Sequence, residues 1–340
     1  MEGRTRSGIK DVARLAGVST ATVSRALNSP ERVDPDTLSR VLSAFSELRY
    51  VPHAAARSLR SHHTKMIGAV VPSVDYALYA RTTSAIHRQV DSRGYALVLA
   101  EHHYNLKEEV RVTAQLVEHG VDALAFVGLE HDPALFSMLE DYGRPYVLTW
   151  GVDPSRRHPS IGFDNKAATY AVTQHLISLG HRHFGLLSAP LEGNDRAQMR
   201  GAGMRAALSE AGLKLDPRYV QHAPISLPAA EEAMTRMLAL PDLPTAIIST
   251  NDIFAVGGMI ACRKAGIRIP DDLSITGVDN TDLGATQSPG LTSVSTPIRE
   301  IGQAAAVQII ARLEGQAYEA FQEFPIEVVY RGSTAPPRKL

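Results

Sequence analysis

Ile9-Lys10-Asp11-Val12-Ala13-Arg14-Leu15-Ala16-Gly17-Val18-Ser19-Thr20-Ala21-Thr22-Val23-Ser24-Arg25-Ala26-Leu27-Asn28 reads as two short helices joined by a tight turn. Ile9 to Ala16 forms the first. Gly17 stands where an inter-helix turn needs a residue tolerant of positive φ. Ser19 offers its hydroxyl to an orphan N–H in the first turn of the second helix, Thr20 to Asn28. Around that helix Val23, Ala26 and Leu27 make a narrow apolar stripe. Ala21, Ser24, Arg25 and Asn28 fall at i, i+3, i+4 and i+7 on another face. One side packs, and the other presents small polar groups and one arginine. A helix entering a DNA major groove needs little bulk near its backbone, hydroxyls for phosphates and a long donor for base edges. On this stripe alone, an ordinary solvated face would look the same.

A third helix changes the balance. Asp34 can cap it, Pro35 suits its first position, and Leu38, Val41, Leu42, Phe45 and Leu48 form its expected buried side. Three short helices sharing one small core predict an all-α helix-turn-helix head. The charge distribution agrees. Residues 1–65 hold eleven Lys/Arg against six Asp/Glu, a net of +5, so with −1 for the whole chain the remainder carries −6. A basic head on an acidic body suggests that the head alone meets a polyanion.

The chain has 340 residues, more than one core usually spans, so further folding units are expected. From Lys65 onward short apolar runs alternate with amphipathic helices. Met66–Val71, Tyr95–Ala100, Ala123–Val127 and Tyr146–Thr149 read as buried parallel strands. Helices are expected near Tyr79–Arg93, Lys107–His119 and Pro133–Tyr142. A second series follows, with strands Phe184–Ser188, Ala246–Ser249 and Ser274–Val278. Its helices are Asn165–Gly180, Ala197–Gly212, Ala229–Leu240 and Asp252–Gly266. A helix starting at Pro297 and a late strand, Phe324–Val329, come after both. The fold class predicted is a helix-turn-helix head plus an α/β body of two doubly wound parallel-sheet subdomains.

The residues from Ile9 to Asn28 closely resemble the head of the lactose-repressor and purine-repressor (LacI/GalR) family. Tyr50-Val51-Pro52-His53-Ala54-Ala55-Ala56-Arg57-Ser58-Leu59 resembles that family's hinge. The likeness continues through Gly162-Phe163-Asp164-Asn165, His175-Leu176-Ile177-Ser178-Leu179-Gly180-His181-Arg182 and Gly277-Val278-Asp279-Asn280, and so covers nearly the whole chain. The resemblance implies a head at 1–50, a hinge at 51–64 and a periplasmic-binding-protein-like effector domain at 65–335. Within that domain it implies a first subdomain of about 65–161 plus 291–319 and a second of about 162–290 plus 320–335, with the ligand between them. It further implies a homodimer on pseudo-palindromic operator DNA.

By the same resemblance Thr20, Ala21 and Arg25 occupy the positions whose side chains reach base edges, Ser19 and Ser24 those that touch the backbone, and Asn28 lies on the same face. Arg25 could grip a guanine in bidentate fashion, whereas Ala21 offers only a methyl where relatives carry a longer polar residue. Pro52 to about Ser61 would be a hinge helix too short to stand alone in water. There Leu59 resembles a wedge inserted into the minor groove, and Arg60 could reach phosphate or groove floor. Without the resemblance Leu59 would read as a linker leucine.

Four positions in the body are expected at the ligand. Arg200 resembles the family's effector-binding arginine and could fork onto sugar hydroxyls or a carboxylate. Asn251 lies just past a strand end, where open α/β sheets place ligands. Asp279 matches an acidic residue that accepts hydrogen bonds from effectors. Trp150 could stack on a ring or simply pack at the subdomain boundary. Where many relatives have Asn-Pro-Phe-Phe this chain has Tyr76-Ala77-Leu78-Tyr79, which suggests a more polar wall carrying Tyr76 and Tyr79. Sugars, sugar acids and similar polar metabolites head the expected effectors.

Other chemistry finds little support. Gly201-Ala202-Gly203-Met204-Arg205-Ala206 matches a loose dinucleotide pattern, yet it sits inside a helical stretch with no preceding strand. The histidines at 62/63, 102/103 and 181/183 lack metal-ligand spacing and read as surface residues. No assembled catalytic set, cofactor or metal is expected. The single cysteine, Cys262, the lack of an 18-residue apolar run and the absence of an apolar stretch behind Arg4, Arg6 and Lys10 suggest a cytoplasmic protein without a membrane span or export signal. A solute-binding protein or a sugar-active enzyme on the same layers are the alternatives, the first requiring no head and the second convergent catalytic groups at strand ends.

Overall fold

The computed structural model describes residues 8–50 and 63–338. The chain divides into two compact units, Met1–Thr64 and Lys65–Leu340. Leu59 and Arg60 lie outside the described residues.

The head holds α1 (Ile9–Ala16), α2 (Thr20–Asn28), a 3-10 turn (Pro30–Arg32) and α3 (Pro35–Glu47). Gly17 ends α1 at φ +65°, as the tight turn requires. The Ser19 hydroxyl accepts from Thr22 N at 3.1 Å, and the Asp34 carboxylate accepts from Thr37 N at 3.1 Å, so both expected caps form. Val12, Val23 and Val41 are fully buried among Ala13, Ala16, Ala26 and Ala44. Leu42 is the exception. It is 54% exposed, because the centre of the α3 face runs through Val41 and Ala44 and turns Leu42 to the rim.

The body consists of two six-stranded sheets. The first has order β11-β5-β4-β3-β1-β2 and is parallel throughout. Its strands are β1 (Met66–Val71), β2 (Ala96–Glu101), β3 (Ala123–Val127), β4 (Tyr146–Thr149), β5 (Ser160–Gly162) and β11 (Phe321–Glu323). Its helices are α4 (Ala77–Asp91), α5 (Leu106–Glu118), α6 (Pro133–Asp141) and α12 (Ile298–Leu313).

The second sheet has order β12-β10-β9-β8-β6-β7, with only β12 antiparallel. It contains β6 (Phe184–Ser188), β7 (Val220–His222), β8 (Ala246–Ser249), β9 (Ser274–Asp279), β10 (Thr292–Ser295) and β12 (Glu327–Val329). Around it lie α7 (Asn165–Ser178), α8 (Asp195–Glu210), α9 (Leu227–Leu238), α10 (Asp252–Lys264) and the single turn α11 (Asp282–Ala285). Close packing of α7 on α8 depends on Gly203, where an added Cβ would stand 2.0 Å from the Lys166 carbonyl.

The chain crosses between the sheets after β5, after β10 and after β11. The last two crossings correct the expected boundaries. Residues 292–295 pair with β9 and belong to the second subdomain, although 291–319 was assigned to the first. Residues 321–323 pair with β5 and belong to the first, although 320–335 was assigned to the second. The expected strand Phe324–Val329 contains a crossing: the chain passes from β11 to β12 through Phe324-Pro325-Ile326, and proline cannot donate to a ladder.

Candidate functional site

On the head, Ser19, Thr20, Ala21 and Arg25 are exposed and Ser24 is half-buried, while Val23 and Ala26 face the core. Asn28 is the last residue of α2. One capped helix therefore holds its small polar face and its arginine away from the core, on a compact three-helix support.

In the body, the C-terminal ends of the two sheets face each other and side chains cross the gap. The Tyr76 hydroxyl, from the first subdomain, donates to Asp279 Oδ2 at 2.9 Å and accepts from Asn251 Nδ2 at 3.0 Å. Asn251 Nδ2 also reaches Asp279 Oδ2 at 2.8 Å. Arg200, on the second turn of α8, donates through Nε to Asn165 Oδ1 at 2.9 Å and through a terminal nitrogen to the Thr250 carbonyl at 2.6 Å. The same terminal nitrogen lies 3.4 Å from Asp279 Oδ1. Arg200 and Asp279 are 2% and 4% exposed, so each charge is tolerated only because of the other and of these hydrogen bonds. Burial pushes the Asp279 carboxyl up, opposed by Arg200, Asn251 and Tyr76.

A second crossing uses Arg196, one turn before Arg200. It pairs with Asp195 at 2.6 Å and donates to the Val127 carbonyl across the gap at 3.3 Å. The Tyr79 hydroxyl is 3.0 Å from that of Tyr104. Trp150 is 1% exposed, and its ring meets Tyr79 edge-on at 5.2 Å between centroids. Asn165 Nδ2 holds the Trp150 carbonyl at 2.7 Å. At the rim Arg81 pairs with Asp282 at 2.6 Å, and Gln198 donates to Glu130 at 2.9 Å. The arrangement offers arginine and amide donors, a carboxylate acceptor and aromatic walls, a set suited to holding a polar ring.

Beneath this site, Asp252 begins α10 and fastens the turn after β9. It accepts from Thr281 N at 2.6 Å and from the Thr281 hydroxyl at 2.9 Å, and it also meets the Ser293 hydroxyl. Burial, reinforced by Asp279, pushes its carboxyl up to about 7.

Comparison with known proteins decides the family. The profile described as bacterial regulatory proteins, lacI family, matches residues 8–53, and that described as periplasmic binding protein-like domain matches 173–334. The HTH-type transcriptional repressor PurR of Proteus mirabilis is 33% identical over 314 residues, covering 92% of each chain. The chain belongs to the LacI family of bacterial regulatory proteins. Among solved structures, the Lac repressor dimer bound to operator and the anti-inducer ONPF is similar over 97% of this chain and 100% of that one, at 27% identity and a TM-score of 0.85. The CelR–cellobiose complex is similar over 96% and 100%, at 28% identity and a TM-score of 0.71.

In this LacI-family regulator the structure brings Tyr76, Tyr79, Trp150, Arg200, Asn251 and Asp279 to one place. Sequence reasoning missed Arg196, Tyr104, Asn165 and Asp252. Arg196 was findable, since it lies at i−4 from Arg200 on the same helix face. Tyr104 was not, because its position depends on the loop after β2. The histidines need a correction too. His102 and His181 are buried at 2% and 1% exposure, not on the surface. His131 Nε2 stands 3.0 Å from the Gly128 carbonyl and must carry its hydrogen, so His131 Nδ1 and Glu109, 2.9 Å apart, share a proton between them. His102 hangs under α5, 3.7 Å from Glu109, and burial holds it down at about 4. Among the described residues no cluster could hold a metal ion, and no helix is long and apolar enough to cross a membrane.

Proposed function

We propose that the protein is a cytoplasmic homodimeric repressor whose operator affinity is set by a polar, hydroxyl-bearing metabolite bound between the two body subdomains. The observation that carries this reading is the buried Arg200–Asp279–Asn251 group at the C-terminal ends of the second sheet, facing tyrosines of the first. On the head, Thr20, Ala21 and Arg25 are assigned to base edges, and Ser19, Ser24 and Asn28 to their surroundings, on a helix that enters the major groove. Leu59 and Arg60 are assigned to the minor groove. In the body Arg200, Asp279 and Asn251 take ligand hydroxyls or a carboxylate, while Trp150, Tyr76 and Tyr79 wall the ring. Relatives solved with cellobiose and with the anti-inducer ONPF support a sugar-like ligand.

Ligand binding changes how the subdomains close and so shifts the segments leading toward the head, which couples the two sites. The protein binds its ligand without turning it over. The test uses the full chain. Selection from random duplexes should yield a pseudo-palindrome, and a metabolite thermal-shift screen should yield a binder that alters affinity for it and is recovered chemically unchanged. Failure to prefer any sequence over random duplex, with and without metabolites, would defeat the proposal.

A further inference from the structure

The Tyr76 hydroxyl makes the two bonds that a ligand hydroxyl would make at Asn251 and Asp279. It gives its proton to a carboxylate oxygen at 2.9 Å and takes one from an amide at 3.0 Å. That is the donor–acceptor pair of an alcohol, delivered by a side chain from the opposite subdomain. Tyr76 is half-buried just before α4, in edge contact with Tyr79 at 5.3 Å, and Tyr79 in turn meets Trp150. Burial, with Asp279 beside it, raises the phenol well above its ordinary range, so it stays protonated and acts as a donor.

The surroundings retain unused hydrogen-bonding capacity. Trp150 Nε1 and Asp279 Oδ1 are buried without a hydrogen-bond partner among the described residues, one a donor and the other an acceptor. Asp279 Oδ1 has only the 3.4 Å approach of Arg200. A phenol on a tether satisfies one oxygen of the site and leaves these two unsatisfied. A free polyol can satisfy more of them.

We infer that Tyr76 is a tethered hydroxyl that occupies the Asn251–Asp279 subsite and latches the two subdomains together, so that an effector binds by replacing it. This rests on the reading of the cleft as the effector site. Tyr76 then sets effector specificity and affinity, since only a ligand that brings its own hydroxyl to this pair compensates for displacing the phenol.

Trp150 is the only tryptophan of the chain and serves as the reporter. Acrylamide quenching of the full-length protein, excited beyond tyrosine absorption, should rise at least twofold in Tyr76→Phe as the latch loosens. Asp279→Asn should raise it similarly, and the double variant should go no further than either alone. In Tyr76→Ala, added p-cresol should restore the parent's protection, whereas toluene, which lacks the hydroxyl, should not. Unchanged quenching in Tyr76→Phe overturns the inference. Equal rescue by toluene does so too, because it would reduce Tyr76 to packing. Tyr76→Phe keeps the test decisive should Tyr76→Ala fold poorly. None of these readouts needs the natural effector, so a failed metabolite screen and a failed latch are told apart.

Discussion

Asp252→Asn should change how stability depends on pH, in a direction fixed by where this carboxyl sits. Asp252 is 1% exposed, and its pKa is pushed up to about 7 by burial and by Asp279. In the unfolded chain it returns to an ordinary value near ~4. Between these two values the native state keeps a proton that the unfolded state has released. Stability contributed by this group is therefore fully present below about pH 4 and is lost as pH rises toward 7. The shift is roughly three units, and at ~1.4 kcal/mol per unit the ceiling is about 4 kcal/mol. An asparagine can accept from Thr281 and donate to Ser293 without ever ionising, so the variant should lose this slope. His102 works against it. Buried and held at about 4 against an ordinary value near ~6.5, it gives stability that is present above about 6.5 and lost as pH falls toward 4, with a ceiling of about 3 kcal/mol. Within the shared window the two slopes oppose each other, and His158, His175 and His181, each lowered by burial, add to the side of His102. Urea denaturation from pH 4.5 to 8, followed by Trp150 fluorescence, should show a variant whose stability climbs with pH more steeply than the parent's. Superimposable pH profiles for parent and variant would refute the reasoning.

Three further outcomes are expected. His102→Gln removes one contribution that rises with pH, so between pH 4.5 and 7 its stability should fall relative to the parent's, and the same urea titrations measure it. Arg25→Ala should cost about 1–3 kcal/mol of discrimination at one operator position per half-site, read by competition binding against single-base variants; a uniform loss across all sequences would make it a phosphate contact instead. Arg200→Met should destabilise by about 3–5 kcal/mol because it leaves Asp279 buried without its cation, whereas in an Asp279→Asn background the same change should cost at least ~2 kcal/mol less. Additive effects in that cycle would mean that the 3.4 Å pair carries no coupling.

Much of the fold was legible because its signals are local. Apolar runs such as Met66–Val71 and Ala123–Val127 start and stop at the expected residues, and Gly17, Ser19 and Asp34 punctuate the head as turn and cap chemistry requires. What stayed hidden depends on partners distant in sequence. β5, β7 and β11 are three residues each, too short for any period to show, and only pairing defines them. The crossing near Pro325 was masked because Phe324–Val329 looks like one apolar strand. His102 gave no sign of burial, since its partner Glu109 comes from a helix and that glutamate's other partner, His131, from a loop two elements later. Leu42 was misplaced for a different reason: a short helix on a small core buries a narrower arc than its apolar residues cover.

The site itself sits where local rules are broken. The described non-glycine residues with left-handed φ are Arg49, Lys65, His103, Tyr104, Trp150, Arg156, Asp242, Asp279 and Asn280. Five of these nine close strands at the cleft: His103 and Tyr104 after β2, Trp150 after β4, and Asp279 with Asn280 at the end of β9. Each costs roughly 1–2 kcal/mol for a residue bearing a Cβ, so the cluster is expensive and must be held by its surroundings. The holders are identifiable. Asn165 grips the Trp150 carbonyl at 2.7 Å, Ser293 receives the Asn280 amide at 3.0 Å, and Arg331 reaches the Asn280 side chain at 2.6 Å. The reversed backbone accompanies the turn of Trp150, Tyr104 and Asp279 into the gap between the sheets. An extended continuation of the same strands would alternate them above and below the sheet. Stability given up at three strand ends thus becomes a ring of polar and aromatic groups facing one another, and the residues that hold the turns, Asn165, Asp252 and Ser293, belong to the site as much as the side chains that line it.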